Sequence, residues 1–382
     1  MMPHWDTGEV GANAAYRSTP AWDVVTGGKI LSINGVYTTR SLTAGQISGI
    51  LRPQTWGWGV GREVPPNAKI RGIEVKITRH GVGIRDYNVQ LYYNSTLAGD
   101  NKADTATEWG TTDQTITYGG PTDTWGISDV QGYLLSDAYA FGINIRAKNH
   151  GAVTSTAYID CVTVKVYYQC YIFESTTEDG YIKFRNLAGG TPLTYDSIDK
   201  TSDDLSSLNS SSTVAAVDIP FAFFNTGEML NRKRIVSATW SGNINTVVDY
   251  TPNGSAGQWT FYINKAQGDT LTSADTVGWD NLVGSGGAFW ETGAEPLTDG
   301  AGYYWWDITA FAQYINQEIA PNSGYTNVVV LPYNTGNDVS PESTYLLIDS
   351  ADKVGGYPMR LVIVTDEDDP LDTLELPEMD FI

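Results

Sequence analysis

Two stretches of this chain carry one pattern, and that repetition limits the possible folds more than any other feature. Trp125-Gly126-Ile127-Ser128-Asp129-Val130-Gln131-Gly132-Tyr133-Leu134 and Trp306-Asp307-Ile308-Thr309-Ala310-Phe311-Ala312-Gln313-Tyr314-Ile315 both read Trp-x-Ile-(Ser/Thr)-x-x-x-x-Tyr-(Leu/Ile). Ile308, Phe311, Ala312 and Ile315 fall at i, i+3, i+4 and i+7, and Ile127, Val130 and Leu134 repeat that spacing. Each copy therefore predicts an amphipathic helix of about two turns, packed by one side. Ser128 and Thr309 stand where an N-cap hydroxyl would accept a free backbone N–H. Gln131, three residues after Ser128, completes a capping box in the first copy.

The match extends beyond the helix. Gly99-Asp100 and Trp109 precede the first copy, as Gly268-Asp269 and Trp279 precede the second. Alternating apolar runs follow, Phe141, Ile143 and Ile145 in one copy and Val328 and Val330 in the other. Ile159-Asp160 and Ile348-Asp349 come next, and each copy closes on a β-branched strand, Val162 to Tyr168 and Arg360 to Thr365. A period of about 180 residues is a tandem domain rather than a solenoid or propeller repeat. Asp160 and Asp349, at equivalent places, are expected to serve the fold by capping a turn.

Composition then selects the class. With 12 Trp, 23 Tyr, 40 Gly and 16 Pro among 382 residues, and no long helical pattern, the chain reads as many strands joined by tight turns. The expected fold is all-β: two tandem, internally duplicated, jelly-roll-like β-sandwich domains, each with one short helix. Expected boundaries are an N-terminal arm with first strands over 1–60, domain one over 61–169, domain two over 170–365 and an acidic tail over 366–382. Ile73, Val75 and Ile77 alternate with polar residues in the clearest strand. The tail carries eight carboxylates and no basic residue, with Leu371, Leu374, Leu376, Met379, Phe381 and Ile382 between them. That composition predicts a segment disordered alone that docks by its apolar residues.

A formal charge of −21 argues against nucleic acid and anionic membrane surfaces as partners. No apolar run reaches the ~20 residues of a membrane span, and the start lacks the basic and apolar regions of a signal peptide. Cys161 and Cys170 lie nine apart; on one straight strand they would stand about 30 Å apart, too far for a disulfide.

Chemistry is sparse. His4, His80 and His150 have no metal-ligand spacing, and no nucleophile elbow or phosphate loop occurs. No catalytic residue is assigned, and no enzymatic activity is expected. No cofactor is expected either, with calcium at Asp100 and Asp104 or at Asp366 to Asp369 as the one alternative. Trp279, Trp290, Tyr303, Tyr304 and Trp305 cluster in sequence and offer contacts for a glycan or for a partner protein.

The run Val64-Pro65-Pro66-Asn67-Ala68-Lys69-Ile70-Arg71-Gly72-Ile73-Glu74-Val75-Lys76-Ile77, with Gly99 to Ala103, Trp109, Thr117 to Gly126, Phe141-Gly142-Ile143 and Tyr158 to Tyr168, resembles a β-sandwich module of tailed-bacteriophage virion proteins. Residues 171–365 more weakly resemble jelly-roll modules of the DNRLRE type, although the hexapeptide itself is absent. The resemblance implies a non-enzymatic virion structural protein, a capsid decoration or a tail or neck accessory component. It would be assembled in the host cytoplasm with other virion proteins, as a homo-oligomer such as a trimer. The alternative is a glycan-binding module of a phage fibre or receptor-recognition protein, with a host-surface glycan as partner.

Overall fold

The computed structural model describes residues 4–366, less 24–29, 31, 57, 59–63, 131, 133–134, 136–139, 187–193, 203, 211–214, 230–233, 249–257, 265–288, 292–294, 297–301, 313–314, 316–323 and 333–343. The chain forms two compact units, Pro3–Cys170 and a second that starts at Tyr171. Both are built of strands, so the architecture is all-β and tandem, each unit sandwich-like.

The first unit contains β1 (His4–Asp6), β2 (Val10–Arg17), β3 (Thr38–Leu42), β4 (Leu51–Trp56), β5 (Lys69–His80), β6 (Ile84–Tyr93), β7 (Thr96–Ala98), β8 (Gln114–Gly119), β9 (Phe141–Asn149) and β10 (Ser155–Gln169). β10 is the organising strand. It pairs antiparallel along its length with β5, and its other edge takes β1, β2 and β3 in turn. β2 belongs to both layers. Val10 and Gly11 pair with β10, whereas Ala12 to Arg17 pair with β4, which leads on to β9, β6 and β7. The first strands of the chain are thus part of the first unit's own sheets. Alternation fills the space between the layers. Ile73, Val75, Ile77, Val162, Val164 and Val166 from one sheet, and Leu51, Val89, Leu91, Ile143 and Ile145 from the other, are buried. A sheet with one apolar face hides it against a second sheet.

At one end of this core sits a buried polar knot around Asp86. Its carboxylate accepts from Trp109 Nε1 at 2.8 Å, Tyr118 Oη at 2.8 Å, the Asp104 N–H at 3.0 Å and Arg79 Nη2 at 3.3 Å. Arg79 also donates to Tyr118 Oη at 2.9 Å and lies 4.6 Å from the centre of the Trp109 ring. Trp109 therefore anchors its loop through the core. Burial, with the Asp86 charge beside it, pushes the Tyr118 hydroxyl far above its ordinary pKa.

The second unit contains β11 (Tyr171–Glu174), β12 (Gly180–Asn186), β13 (Thr194–Asp199), β14 (Asp204–Ser210), β15 (Ala215–Asn225), β16 (Ile235–Val248), β17 (Gln258–Asn264), β18 (Phe289–Glu291), β19 (Glu295–Pro296), β20 (Gly302–Asp307), β21 (Tyr325–Pro332), β22 (Thr344–Asp349) and β23 (Arg360–Thr365). Its order runs β11-β23-β16-β22-β14-β15-β21-β17-β18, with β12 beside β15 and β20 beside β16. The landmarks are arranged differently in the two units. In the first, Asp160 and the closing segment lie on the single strand β10, bulged between Ile159 and Cys161. In the second, β22 ends at Asp349 and a turn intervenes before β23. Both aspartates cap loops. Asp160 accepts from the Asn34 and Gly35 N–H groups, and Asp349 from that of Tyr357.

The repeated helix needs one correction. In the second copy it opens as a single 3-10 turn, Thr309–Phe311, without a Thr309 side-chain cap. Asp307 accepts the Thr309 N–H at 2.9 Å, while the Thr309 hydroxyl bridges across to the Ala238 backbone. Thr309 thus fastens the turn to β16. Ile308, Phe311 and Ile315 are buried as the spacing required. In the first copy the capping-box residue Gln131 lies outside the described residues, and Val130 and Leu135 are buried. Cys161 and Cys170 are both buried free thiols.

Two carboxylates give stability predictions. Asp86→Ala leaves Arg79 charged and unpaired in the first unit, a loss of about 3–5 kcal/mol read as an earlier first-unit transition in urea. Asp179, 2% exposed, accepts the Phe223 N–H at 2.9 Å, and desolvation raises its pKa to about 7. The folded form therefore holds a proton that the unfolded chain releases near its ordinary 3.8. Second-unit stability is highest below pH 4 on this account and falls as pH rises toward 7, by on the order of 4 kcal/mol in total. Asp179→Asn keeps the acceptor and should flatten that slope in pH-dependent melts.

Candidate functional site

Strand alternation on β20 divides the aromatic cluster expected from the sequence. Tyr304 and Trp306 point with Trp240 into the sandwich, with ring centres 5.5 Å apart for Tyr304–Trp306 and 4.9 Å for Trp240–Trp306. Tyr303 and Trp305 point the other way. They pair across to Asn243 and Ser241 of β16 and lie over its outward row of Thr239, Ser241, Asn243 and Asn245. Tyr303 Oη and Ser241 Oγ are 2.8 Å apart, so the tyrosine ring is pinned to the sheet. Tyr357, 41% exposed, joins this side with its ring centre 6.0 Å from that of Tyr303, and Trp305 lies at 5.8 Å. The successive rings meet edge to face at 75° and 72°. They form a cradle, half-buried at Tyr303 and Trp305 and open at Tyr357.

Beside the cradle lies a polar cluster. Asn243 Nδ2 donates to Asp349 Oδ2 at 2.8 Å, and Asn245 donates to both Asp204 and Asp349. Lys353 Nζ sits 2.7 Å from each of those carboxylates. Burial disfavours the charge on Lys353, but the hydrogen bonds to Asp204 and Asp349 outweigh it and raise its pKa. Burial likewise opposes the Asp349 charge, and the donors from Lys353, Asn243, Tyr357 and Asn245 carry its pKa below the ordinary carboxylate value. Asp349 thus caps a turn and also holds the side chains that border the rings, a second role that its position in the repeat did not signal.

Trp279 lies outside the described residues, and Trp290 is on β18, paired with Ile263. Leu371, Leu374, Leu376, Met379, Phe381 and Ile382 lie outside the described residues. Asp100 is exposed and 3.7 Å from Lys102, and Asp104 accepts from the Ala106 and Thr107 N–H groups. Asp366 is exposed, and Glu367, Asp368 and Asp369 lie outside the described residues. Among the described residues, no three His, Cys, Asp or Glu side chains gather as a metal site. His80 closes β5 and stacks on Tyr158 at 4.3 Å, a strand-end role.

No family model matches the sequence, and no curated protein matches it. One solved structure that the chain resembles is the N-terminal CBM22-1–CBM22-2 tandem domain of Xyn10C from Paenibacillus barcinonensis. It is 8% identical, with 93% of this chain and 97% of that chain covered and a TM-score of 0.23. Where the sequence resemblance leads to a bacteriophage virion module, this comparison finds a bacterial tandem domain instead. Capsid decoration, a tail accessory role, virion-protein partners and assembly in a host cytoplasm, which that resemblance alone implied, are withdrawn with it. The residues that carried the resemblance have a physical role of their own. The Trp125 indole, fully buried, donates to Ile73 O at 2.8 Å. A Cβ on Gly72 would strike Gly120 O at 2.1 Å, and one on Gly119 would strike Ile73 O at 2.2 Å. That stretch records how a sandwich closes its end, which any protein using this geometry must solve.

Lys353→Met should leave Asp204 and Asp349 side by side without a cation, lowering second-unit stability at pH 7 by about 2 kcal/mol. The Asp349 contribution is present above its unfolded pKa and is lost as pH falls through the depressed folded value. The difference between wild type and variant should therefore shrink below about pH 4 in urea midpoints measured against pH.

Proposed function

We propose that the chain is a non-catalytic glycan-binding protein and that the second unit binds through the cradle of Tyr303, Trp305 and Tyr357. The observation that carries this reading is the juxtaposition of these rings with a fixed row of amides, carboxylates and an ammonium group. A pyranose ring presents C–H groups on its faces and hydroxyls around its rim. Aromatic faces accept the former, and Asn243, Asn245 and Lys353, held in place by the buried Asp349, border the rings with polar groups for the latter. Tyr303 is held by Ser241 and the asparagines by Asp349, so little side-chain freedom remains to be lost on binding.

Edge-to-face rings favour a single sugar unit or chain end over a long flat chain, because no two ring faces here lie in one plane. Chemistry on the bound sugar is not part of the reading. Asp204 and Asp349 are both committed to Lys353, which leaves neither as a free acid-base pair of the type that glycoside hydrolysis employs.

The test is a panel of oligosaccharides on an array, followed by calorimetric titration of those retained. Trp305→Ala should weaken binding by about tenfold or more, equivalent to about 1.4 kcal/mol, with an unchanged melting curve as evidence of folding. Tyr304→Phe, on the inward side, should bind as wild type. Absence of any retained glycan, or equal binding by Trp305→Ala, would sink the reading.

A further inference from the structure

The outer face of the first unit's second sheet carries cations without carboxylates in a chain that is acidic overall. Its outward positions are Ala14 and Tyr16 on β2, Arg52 and Gln54 on β4, Gly142, Asn144, Arg146 and Lys148 on β9, Asn88, Gln90 and Tyr92 on β6, and Leu97 on β7, as the registers place them. Three are cations and none is a carboxylate, although the whole chain has 44 acidic residues against 23 Lys and Arg. At the far end Arg85 adds a cation that Glu108 neutralises at 3.1 Å. Asp100, in the loop beyond β7, is 3.7 Å from Lys102.

Arg52 is the centre of the face. Its guanidinium carbon lies 3.4 Å from the centre of the Tyr92 ring and 4.9 Å from that of Tyr16, which is 47% exposed. Its Nε donates to Oδ1 of the buried Asn144 at 3.1 Å. Gly142 makes room beneath, since a Cβ there would approach Pro53 O at 2.7 Å and the Arg52 side chain at 3.0 Å. The aromatic stacking and the asparagine hold the guanidinium plane, while its Nη groups enter no ion pair among the described residues. Arg146 stands in a similar way 5.1 Å from the Tyr87 ring, with its Nε held by Ser48 O at 3.0 Å. Partial burial works against the Arg52 charge, so an anion arriving there relieves a cost already incurred in folding.

From this geometry we infer that the face binds an acidic polysaccharide, one whose sugar units carry carboxylates. Two arginine forks offer paired N–H donors matched to planar carboxylates. Tyr16, Tyr87 and Tyr92 border them with ring surface for the sugar bodies, and Gln54, Asn88 and Gln90 add neutral partners for hydroxyls. Lysine-rich contact with phosphate would not require the stacked, oriented guanidinium that these rings create. The inference rests on the reading of the chain as a glycan binder but uses a different unit, different residues and a different sugar chemistry.

The experiment is calorimetric titration of the full chain with tetragalacturonate, with its fully methyl-esterified form, and with a neutral oligosaccharide retained on the panel above. Wild type should bind tetragalacturonate and lose about tenfold or more on esterification, which removes charge but keeps the sugar. Arg52→Gln should lose tetragalacturonate to the same degree while neutral binding is unchanged, and Arg52→Lys should fall between, keeping charge without the fork. Trp305→Ala should do the reverse. Equal binding of the two galacturonate forms, or retention by Arg52→Gln, would overturn the inference and leave the second-unit reading intact. Loss of neutral binding alone from the outset would reject that reading and leave this one. A peptide of residues 366–382 that displaces tetragalacturonate and binds more tightly would overturn it in favour of the chain's own acidic tail.

Discussion

The antiparallel pairing of β10 with β5 is the contact on which the first unit depends. Eleven residue pairs from Tyr158–His80 to Gln169–Lys69 hold it, interrupted by two register shifts. In an antiparallel ladder each residue's facing is set by its neighbour's, so this pairing commits Val162, Val164 and Val166 to one side together with Ile73, Val75 and Ile77. The other edge of β10 is then shared by β1, β2 and β3, and β2 carries the chain into the second sheet. A shift of β10 by one residue would turn its three apolar side chains Val162, Val164 and Val166 to the other face. Burying a single one stabilises by about 1.5–3 kcal/mol, so register here is strongly specified. β16 has the corresponding part in the second unit, with β20 on one edge and β22 and β23 sharing the other.

That rule explains what could be read in advance. Alternation over Ile73 to Ile77 and the buried spacing of Ile308, Phe311 and Ile315 were visible because each depends on neighbours in sequence. The duplicated landmarks located both aspartate caps by the repeat itself, although the Asn34 and Gly35 N–H groups that Asp160 accepts are distant in sequence. Thr309 was different. A hydroxyl at an N-cap position usually satisfies its own helix, but here Asp307, two residues earlier, takes that task and frees Thr309 to reach Ala238. Tyr303, Tyr304 and Trp305 read as one cluster in sequence, although adjacency on a strand requires that the middle residue face away from its neighbours. Arg52 gave no local signal at all. Its partners Tyr16, Tyr92 and Asn144 come from three other strands, and only the sheet order brings them beside it.

The virion resemblance failed for a related reason. Trp125, Gly72 and Gly119 are distinctive residues, and distinctive residues invite a family. Their distinctiveness comes from close backbone approach at the sandwich end, where a side chain would collide with a carbonyl. Such constraints recur wherever two sheets close in the same way, so they carry information about geometry and little about role. Role lies in the outward positions, which the fold leaves unconstrained. There the two units diverge: β16 and β20 present amides beside rings, while β4, β6 and β9 present guanidinium groups between rings.

Net charge gives the cationic face its selectivity. At −21 the protein as a whole repels an acidic polymer. At physiological ionic strength the Debye length is about 8 Å, so carboxylates elsewhere on the surface are largely screened from a ligand seated over Arg52, whereas contacts at hydrogen-bond distance are not. Lowering the salt lengthens the repulsion along with the attraction. A face embedded in opposite charge therefore behaves unlike a basic protein on a polyanion, whose affinity climbs steadily as salt is removed. Long-range attraction adds little here, and binding depends on short-range fit: guanidinium planes held by Tyr16, Tyr92 and Asn144 at the spacing that the sheet imposes. An acidic sugar chain that matches this spacing is retained, and a polyanion of another geometry meets only the field of the whole molecule.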